Sequence, residues 1–192
     1  MKLRYDGGRG ISVKLMDKRR GRVERLQLSN ELGSFRREFE TPMISTEFQE
    51  LVELEEGNLR IVVRAREPAV PVKGWVPAYR LSIIVDADPV GRIDLRLGET
   101  DFMVRFGGQV GYSIDPPHRG HKYAARALRL LRSLARLHGF TALWISCNPE
   151  NLPSRRTCEL AGAELVEIVD LPSDCDMYAD GDRKKCRYRL DL

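Results

Sequence analysis

Residues 109–125 place a strand, a proline-broken loop and the start of a helix in direct succession. β-forming residues alternate with small or polar ones up to Ile114, and Pro116 and Pro117 then end the strand because proline donates no backbone hydrogen bond. Strong helix formers follow from Ala124 onward. The first helical turn therefore offers unpaired N–H groups at the positive end of a helix dipole, which suits a phosphate or pyrophosphate group.

The hexapeptide at residues 119–124, Arg-Gly-His-Lys-Tyr-Ala, resembles the acyl-CoA pyrophosphate loop of the GNAT superfamily of N-acyltransferases. That loop usually reads Gln or Arg, two variable residues, Gly, one variable residue, and then Gly or Ala. Arg119, Tyr123 and Ala124 fit the pattern, whereas Lys122 stands where the second glycine is expected. The resemblance implies acetyl-CoA as co-substrate and the following cofactor-binding residues: Ser113, Ile114, Arg119, Gly120, His121, Lys122, Tyr123, Ala124, Ala125 and Asn151.

A second block, residues 141–163, supports the resemblance, because it reads as a buried strand, an Asn and a helix that ends at Gly162. Asn151 and Ser154 occupy the family's Asn-x-x-Ala/Ser positions. In the family layout this Asn binds the pantetheine arm of CoA, since an amide both donates and accepts hydrogen bonds. The alternative is that Asn151 caps the helix, whose Pro153 suits a first turn.

The reaction that the resemblance implies is direct transfer of an acetyl group to an amine, with a backbone N–H near Ile114 stabilising the thioester oxygen. Many family members carry a Tyr that protonates the leaving thiolate, but here that position is Cys158. Cys158, Ser154 or water is therefore left as the acid. The base is left open among carboxylates near the strand ends, with Glu99 carried forward as the catalytic candidate: Asp94, Glu99 and Asp115.

The implied fold class is α/β (α+β), a GNAT fold whose mostly antiparallel central sheet of six to seven strands is flanked by about four helices. The sheet would splay between its fourth strand, residues 109–114, and its fifth, residues 141–147, with acetyl-CoA in the split. One domain is expected over residues 11–192, after a mobile segment at residues 1–10. Other predicted elements are helices at 30–40, 46–56 and 120–138, a turn at 19–22, and strands at 11–15, 79–86, 90–97, 164–170 and 187–190.

The composition excludes several classes of protein. The 192 residues carry a net charge of +4 and include no apolar run long enough to span a bilayer and no secretory signal, so a cytoplasmic location is expected. The four cysteines form no C-x-x-C pair, and the acidic loop at residues 171–182 lacks the glycine and terminal Glu of a calcium loop. No metal is therefore predicted, and the protein is expected to be a monomer or a homodimer.

Two other functions are compatible with the sequence. A catalytically idle CoA-binding sensor would accommodate both Lys122 and Cys158. A nucleic-acid-binding module would use the arginines of the 120–138 helix, although Arg126 could instead reach a CoA phosphate. The helix lacks interleaved aromatic residues and any recognised binding motif, so nucleic acid is not expected as a partner. The arginines concerned are Arg126, Arg129, Arg132 and Arg136.

Overall fold

The computed structural model of the chain describes residues 11–17, 22–28 and 44–192. Over these residues the chain forms ten strands and three α-helices. The strands are β1 (Ile11–Asp17), β2 (Arg22–Leu28), β3 (Leu51–Glu56), β4 (Leu59–Glu67), β5 (Ala78–Val85), β6 (Asp88–Arg96), β7 (Val110–Ile114), β8 (Ala142–Cys147), β9 (Glu164–Asp170) and β10 (Lys184–Asp191). The helices are α1 (Tyr123–Leu137), α2 (Leu152–Ala161) and α3 (Asp176–Ala179).

The strands form two antiparallel sheets, which confirms the predicted fold class. The larger sheet has seven strands in the order β2-β1-β3-β4-β5-β6-β7, and the smaller has three in the order β8-β10-β9. The predicted split therefore lies between β7 and β8, although β7 is the seventh strand of the described residues rather than the fourth. The strand β2 was not predicted; it pairs along its whole length with β1.

The helix α1 covers one face of the larger sheet. Its residues Leu128, Leu131 and Leu134 are fully buried in the core, and each contributes about 1.5–3 kcal/mol by leaving water. Gly139 follows the helix with a φ of 86°, in the left-handed conformation that ends many helices. In the described part of the chain no helix has both the length and the apolar character that crossing a membrane requires.

The predicted helix at residues 46–56 is wrong, because this segment is irregular to Glu50 and then forms β3. Its apolar spacing fits both a helix and a half-buried strand, and long-range pairing decides between them. Glu53 lies opposite Lys14 on β1 and forms ion pairs with Lys14 and Arg60, while Leu54 is buried on the other face. Residues 1–10, the predicted helix at 30–40 and most of the predicted turn at 19–22 lie outside the described residues.

A buried His–Tyr pair joins the segment before β3 to the core. The Nδ1 atom of His138 lies 2.8 Å from the carbonyl oxygen of Ser45, which can only accept, so Nδ1 carries the proton. Nε2 then accepts from the Tyr79 hydroxyl at 3.2 Å, and that oxygen in turn accepts the Gln49 N–H at 2.6 Å. Burial lowers the pKa of His138, so the neutral ring is the form that this network holds.

Candidate active site

The two sheets are joined at the N-terminal end of β7 by one buried residue. Gln109 donates its N–H to the Trp144 carbonyl at 2.8 Å and accepts the Trp144 N–H on its side-chain oxygen at 2.5 Å. A Cβ on the preceding Gly108 would lie 3.0 Å from backbone atoms of β8, so only glycine allows this approach. No ladder joins the described β7 and β8 beyond this point, and the split opens from here toward Ile114.

The edge of β7 that faces the split carries free backbone N–H groups, while the Ile114 carbonyl accepts from Arg119 Nε at 3.0 Å. Arg96 N–H bonds to Gln109 C=O and Asp115 N–H bonds to Val90 C=O, so the odd-numbered residues of β7 face β6. The N–H groups of Tyr112 and Ile114 therefore point into the split. Ser113, which was predicted to share this edge, turns its backbone toward β6.

A cavity of about 630 Å³ occupies the split. Every predicted cofactor-binding residue lines it except His121 and Ala125. His121 is exposed and stacks on Tyr123, whereas Ala125 is buried in the core face of α1. The lining residues are Tyr112, Ser113, Ile114, His118, Arg119, Gly120, Lys122, Tyr123, Ala124, Asn151, Pro153, Ser154, Arg156, Thr157 and Leu160.

The loop at one end of the cavity leads into α1 with two residues in the left-handed conformation. Gly120 has a φ of 86°, and a Cβ built on it would meet no atom within 4 Å. Lys122 has a φ of 62°, a conformation that favours glycine, which explains why the family pattern expects glycine here. Arg126 makes the first helical bond, to Lys122 C=O, so the N–H groups before it have no intrahelical partner.

Asn151 lies where the other wall of the cavity begins, at the start of α2. Its Oδ1 accepts the Ser154 N–H at 3.1 Å, so it caps the helix as the alternative interpretation predicted. Capping engages only this oxygen. The side chain is exposed and lines the cavity, which leaves its Nδ2 group free to donate to a ligand.

The phenol of Tyr112 crosses from β7 to α2 and is the functional group that sequence reasoning missed. Its hydroxyl lies 2.8 Å from Ser154 Oγ, 3.1 Å from the Ser154 carbonyl and 3.6 Å from Cys158 Sγ. Burial raises the pKa of Tyr112. The only sequence signal was a Tyr on the core face of a strand, with no indication that two small α2 side chains lie opposite it.

The two other predicted catalytic groups differ sharply in placement. Cys158 is fully buried, and burial raises the pKa of its thiol to about 12, so it stays protonated and has no open path to the cavity. Glu99 is exposed in the loop after β6 and does not line the cavity. Among the three carboxylates considered, Asp94 lies beside β7, whereas Asp115 is exposed at the loop.

The arginine stripe on α1 mostly contacts the protein itself. Arg126 donates to the Asn58 side chain at 2.8 Å, and Arg126 does not line the cavity. Arg129 donates to the last-turn carbonyl of Leu160 on α2 at 2.9 Å, and Arg132 donates to the Asp191 carbonyl at 2.8 Å. These guanidinium groups hold elements together, and the described contacts leave only part of the stripe for an external anion.

Comparison with known proteins gives one family and several solved structures. Residues 54–164 match the family model described as an acetyltransferase (GNAT) domain. The chain is similar to the microcin C7 self-immunity acetyltransferase MccE bound to acetyl-CoA and AMP, at 14% identity over 60% of this chain and 61% of that one, with a TM-score of 0.46. It is also similar to a Vibrio cholerae putative ribosomal-protein-serine acetyltransferase, at 24% identity over 63% and 67%, with a TM-score of 0.47.

A third similar structure is the aminoglycoside acetyltransferase AAC(6')-Ib with coenzyme A, at 18% identity over 59% of this chain and 66% of that one, with a TM-score of 0.46. The chain thus spans less than two thirds of the MccE and AAC(6')-Ib chains. No curated protein sequence matches it. Two of these three structures hold acetyl-CoA or CoA.

Proposed function

The chain belongs to the GNAT acetyltransferase family, and we propose that it moves the acetyl group of acetyl-CoA directly to an amine of a small molecule or a protein. The observation that carries this proposal is the cavity between β7 and β8. It joins a helix N-terminus, a free strand edge and the Asn151 amide in one continuous space. Those are the donors that a pyrophosphate and a pantetheine arm need.

Binding of CoA would use three groups of donors. The pyrophosphate lies against the N–H groups before Arg126, with the exposed Lys122 ammonium adding positive charge. The pantetheine arm pairs with the free edge of β7 at Ile114 and takes a hydrogen bond from Asn151. The Tyr112 N–H, one step further along the same edge, then lies beside the thioester and stabilises the negative charge on its oxygen.

The Tyr112 phenol is the proton donor that best fits the departing thiolate. Once the amine nitrogen bonds to the carbonyl carbon, the C–S bond breaks and the sulfur needs a proton. A phenol is protonated at neutral pH, and burial raises the pKa of Tyr112 further. The Ser154 hydroxyl at 2.8 Å can restore the proton that the phenol gives up. Cys158 lies behind this pair and supports the Tyr112 hydroxyl without reaching the cavity.

A CoA-binding sensor without turnover is the second candidate. It is favoured by the left-handed Lys122 and by the high pKa of Tyr112, since a weaker acid transfers its proton less readily. The two functions share the binding site and differ only in turnover. Nucleic-acid binding is less favoured, because Arg126, Arg129 and Arg132 are engaged within the protein.

Titration calorimetry with acetyl-CoA tests the binding site. We expect Lys122→Glu to weaken binding about thirtyfold, since losing an attractive charge and gaining a repulsive one costs about 1 kcal/mol each at an exposed site. Arg136→Glu is the matched control, because it makes the same charge change at the exposed far end of α1 and should bind like the unaltered protein. Absence of binding by the unaltered protein, or equal weakening in both variants, contradicts the proposed site.

A further inference from the structure

A group of charged side chains lies beside β7 on the face of the sheet opposite α1. In β6 the residues Ile93 and Leu95 are buried toward α1, so the alternate residues Asp94 and Arg96 project from the other face. Arg80 of β5 stands directly opposite Asp94 in the same orientation. None of these three groups belongs to the cavity lining described above, and none has a role in binding CoA.

The Arg96 guanidinium is only partly satisfied. Its Nη1 donates to the Gly108 carbonyl at 3.2 Å, and it forms no ion pair with any residue that the structure describes. Burial lowers the pKa of Arg96, as expected for a cation with incomplete compensation. In the described part of the chain its other N–H groups have no hydrogen-bond partner and none of them is fully buried, so they can take an anion.

The Asp94 carboxylate, by contrast with Arg96, can bind a cation. Its Oδ2 accepts from Arg80 at 2.9 Å, but Arg80 also pairs with Glu67 at 2.6 Å. One guanidinium is thus shared between two carboxylates, so Arg80 compensates the charge of Asp94 only in part. Among the described residues Asp94 Oδ1 has no hydrogen-bond partner, so it can accept from an ammonium group.

Both groups converge above one glycine of β7. A Cβ on Gly111 would lie 3.6 Å from Arg96 Nη2 and 3.7 Å from Asp94 Oδ2, so the absence of a side chain leaves this surface open. The next residue, Tyr112, carries the free N–H that faces the split. A cation site and an anion site therefore lie together, one residue from the place proposed for the thioester.

We propose that Asp94 and Arg96 bind the ammonium and carboxylate of an α-amino acid, which makes α-amino acids the acceptor class. The inference rests on the proposed acetyl transfer and names its substrate. Asp94 takes a proton from the ammonium, the freed nitrogen bonds to the thioester carbon, and the C–S bond breaks. The thiolate receives the Tyr112 proton, and the second proton that the nitrogen loses restores the phenol by way of Ser154. The proton held by Asp94 passes to solvent, so the products are an N-acetyl amino acid, CoA thiol and one released proton.

The test compares amines that differ only in the carboxylate: alanine with ethylamine, and phenylalanine with phenylethylamine. Release of CoA thiol from acetyl-CoA is followed with a thiol-reactive dye. We expect the amino acid to be favoured in kcat/KM by about 10- to 100-fold, the value of one hydrogen-bonded charge pair. Arg96→Gln should remove this preference by slowing the amino acid and leaving the plain amine unchanged, and Asp94→Asn should slow both.

Arg92→Gln is the matched control, because Arg92 lies on the same strand and face but is opposite Ser113. It should keep the full preference. Equal rates for amino acid and amine, an equal loss of both in Arg96→Gln, or no turnover of any amino acid by a protein that binds acetyl-CoA would each overturn the inference. Failure of acetyl-CoA to bind would instead overturn the proposed function on which the inference rests.

Discussion

Lys122 affects both the stability of the ligand-free protein and the affinity for acetyl-CoA, and replacing it separates these two effects. Lys122 has φ 62° and ψ 19°, a conformation that costs an L-residue about 1–2 kcal/mol. Glycine removes that strain but loses about 0.5–1 kcal/mol to its greater chain entropy. Lys122→Gly should therefore stabilise the ligand-free protein by about 0.7 kcal/mol, or about 1–3 °C in Tm for a chain of this length.

The same change should weaken the binding of acetyl-CoA. Lys122 is exposed, so its ammonium contributes about 1 kcal/mol to an anion beside it, and its loss should raise Kd about fivefold. Lys122→Ala is the matched control, since it loses the same charge but keeps a Cβ in the left-handed conformation. It should show the same fivefold loss of affinity without the gain in Tm.

Calorimetric scans of the free proteins and titrations with acetyl-CoA measure both quantities. Raising the salt concentration to about 1 M should remove the difference in acetyl-CoA affinity between the unaltered protein and both variants, because salt screens exposed charges strongly. Tighter binding by Lys122→Gly would show that backbone approach matters more than the ammonium. An equal rise in Tm for both variants would show that the left-handed conformation stores no strain.

Three further changes test other parts of the structure. Gln109→Ala leaves the Trp144 N–H without its acceptor, so we expect the free energy of unfolding in urea to fall by about 1–3 kcal/mol. An unchanged urea midpoint would show that Gln109 does not join the two sheets. Because the folded pKa of His138 lies below its ordinary 6.5, the unfolded chain binds more protons as pH falls below that value. Stability should therefore decline from pH 7.5 to 5.5, and His138→Gln should remove that part of the decline. Tyr112→Phe should lower kcat about 100-fold while leaving the Kd of acetyl-CoA unchanged, whereas loss of both together would indicate a structural role.

Local sequence patterns were sufficient to predict the elements at the centre of the fold. The Pro116-Pro117 break, the helix formers after Ala124 and the strand–Asn151–helix block each depend on neighbouring residues. Each was found in the structure within a few positions of its prediction. A resemblance built on these segments therefore located the cavity and most of its lining.

Long-range pairing accounts for what the sequence did not reveal. The spacing of Leu51, Val52 and Leu54 suits a helix as well as a strand, and the ion pair of Glu53 with Lys14 forms across 39 positions. The contact between Tyr112 and Ser154 spans 42 positions. Neither contact leaves a periodic signal, because each depends on how separate elements come together.

Amide hydrogen exchange with and without acetyl-CoA tests the central claim, that the cofactor lies between β7 and β8. Binding of acetyl-CoA should slow exchange of the free N–H groups of Tyr112 and Ile114 and of those of residues 123–125. Amides that already bond within the sheet, such as that of Arg96, should exchange as before. Protection that appears elsewhere and leaves Tyr112 and Ile114 unchanged would contradict this position of the cofactor.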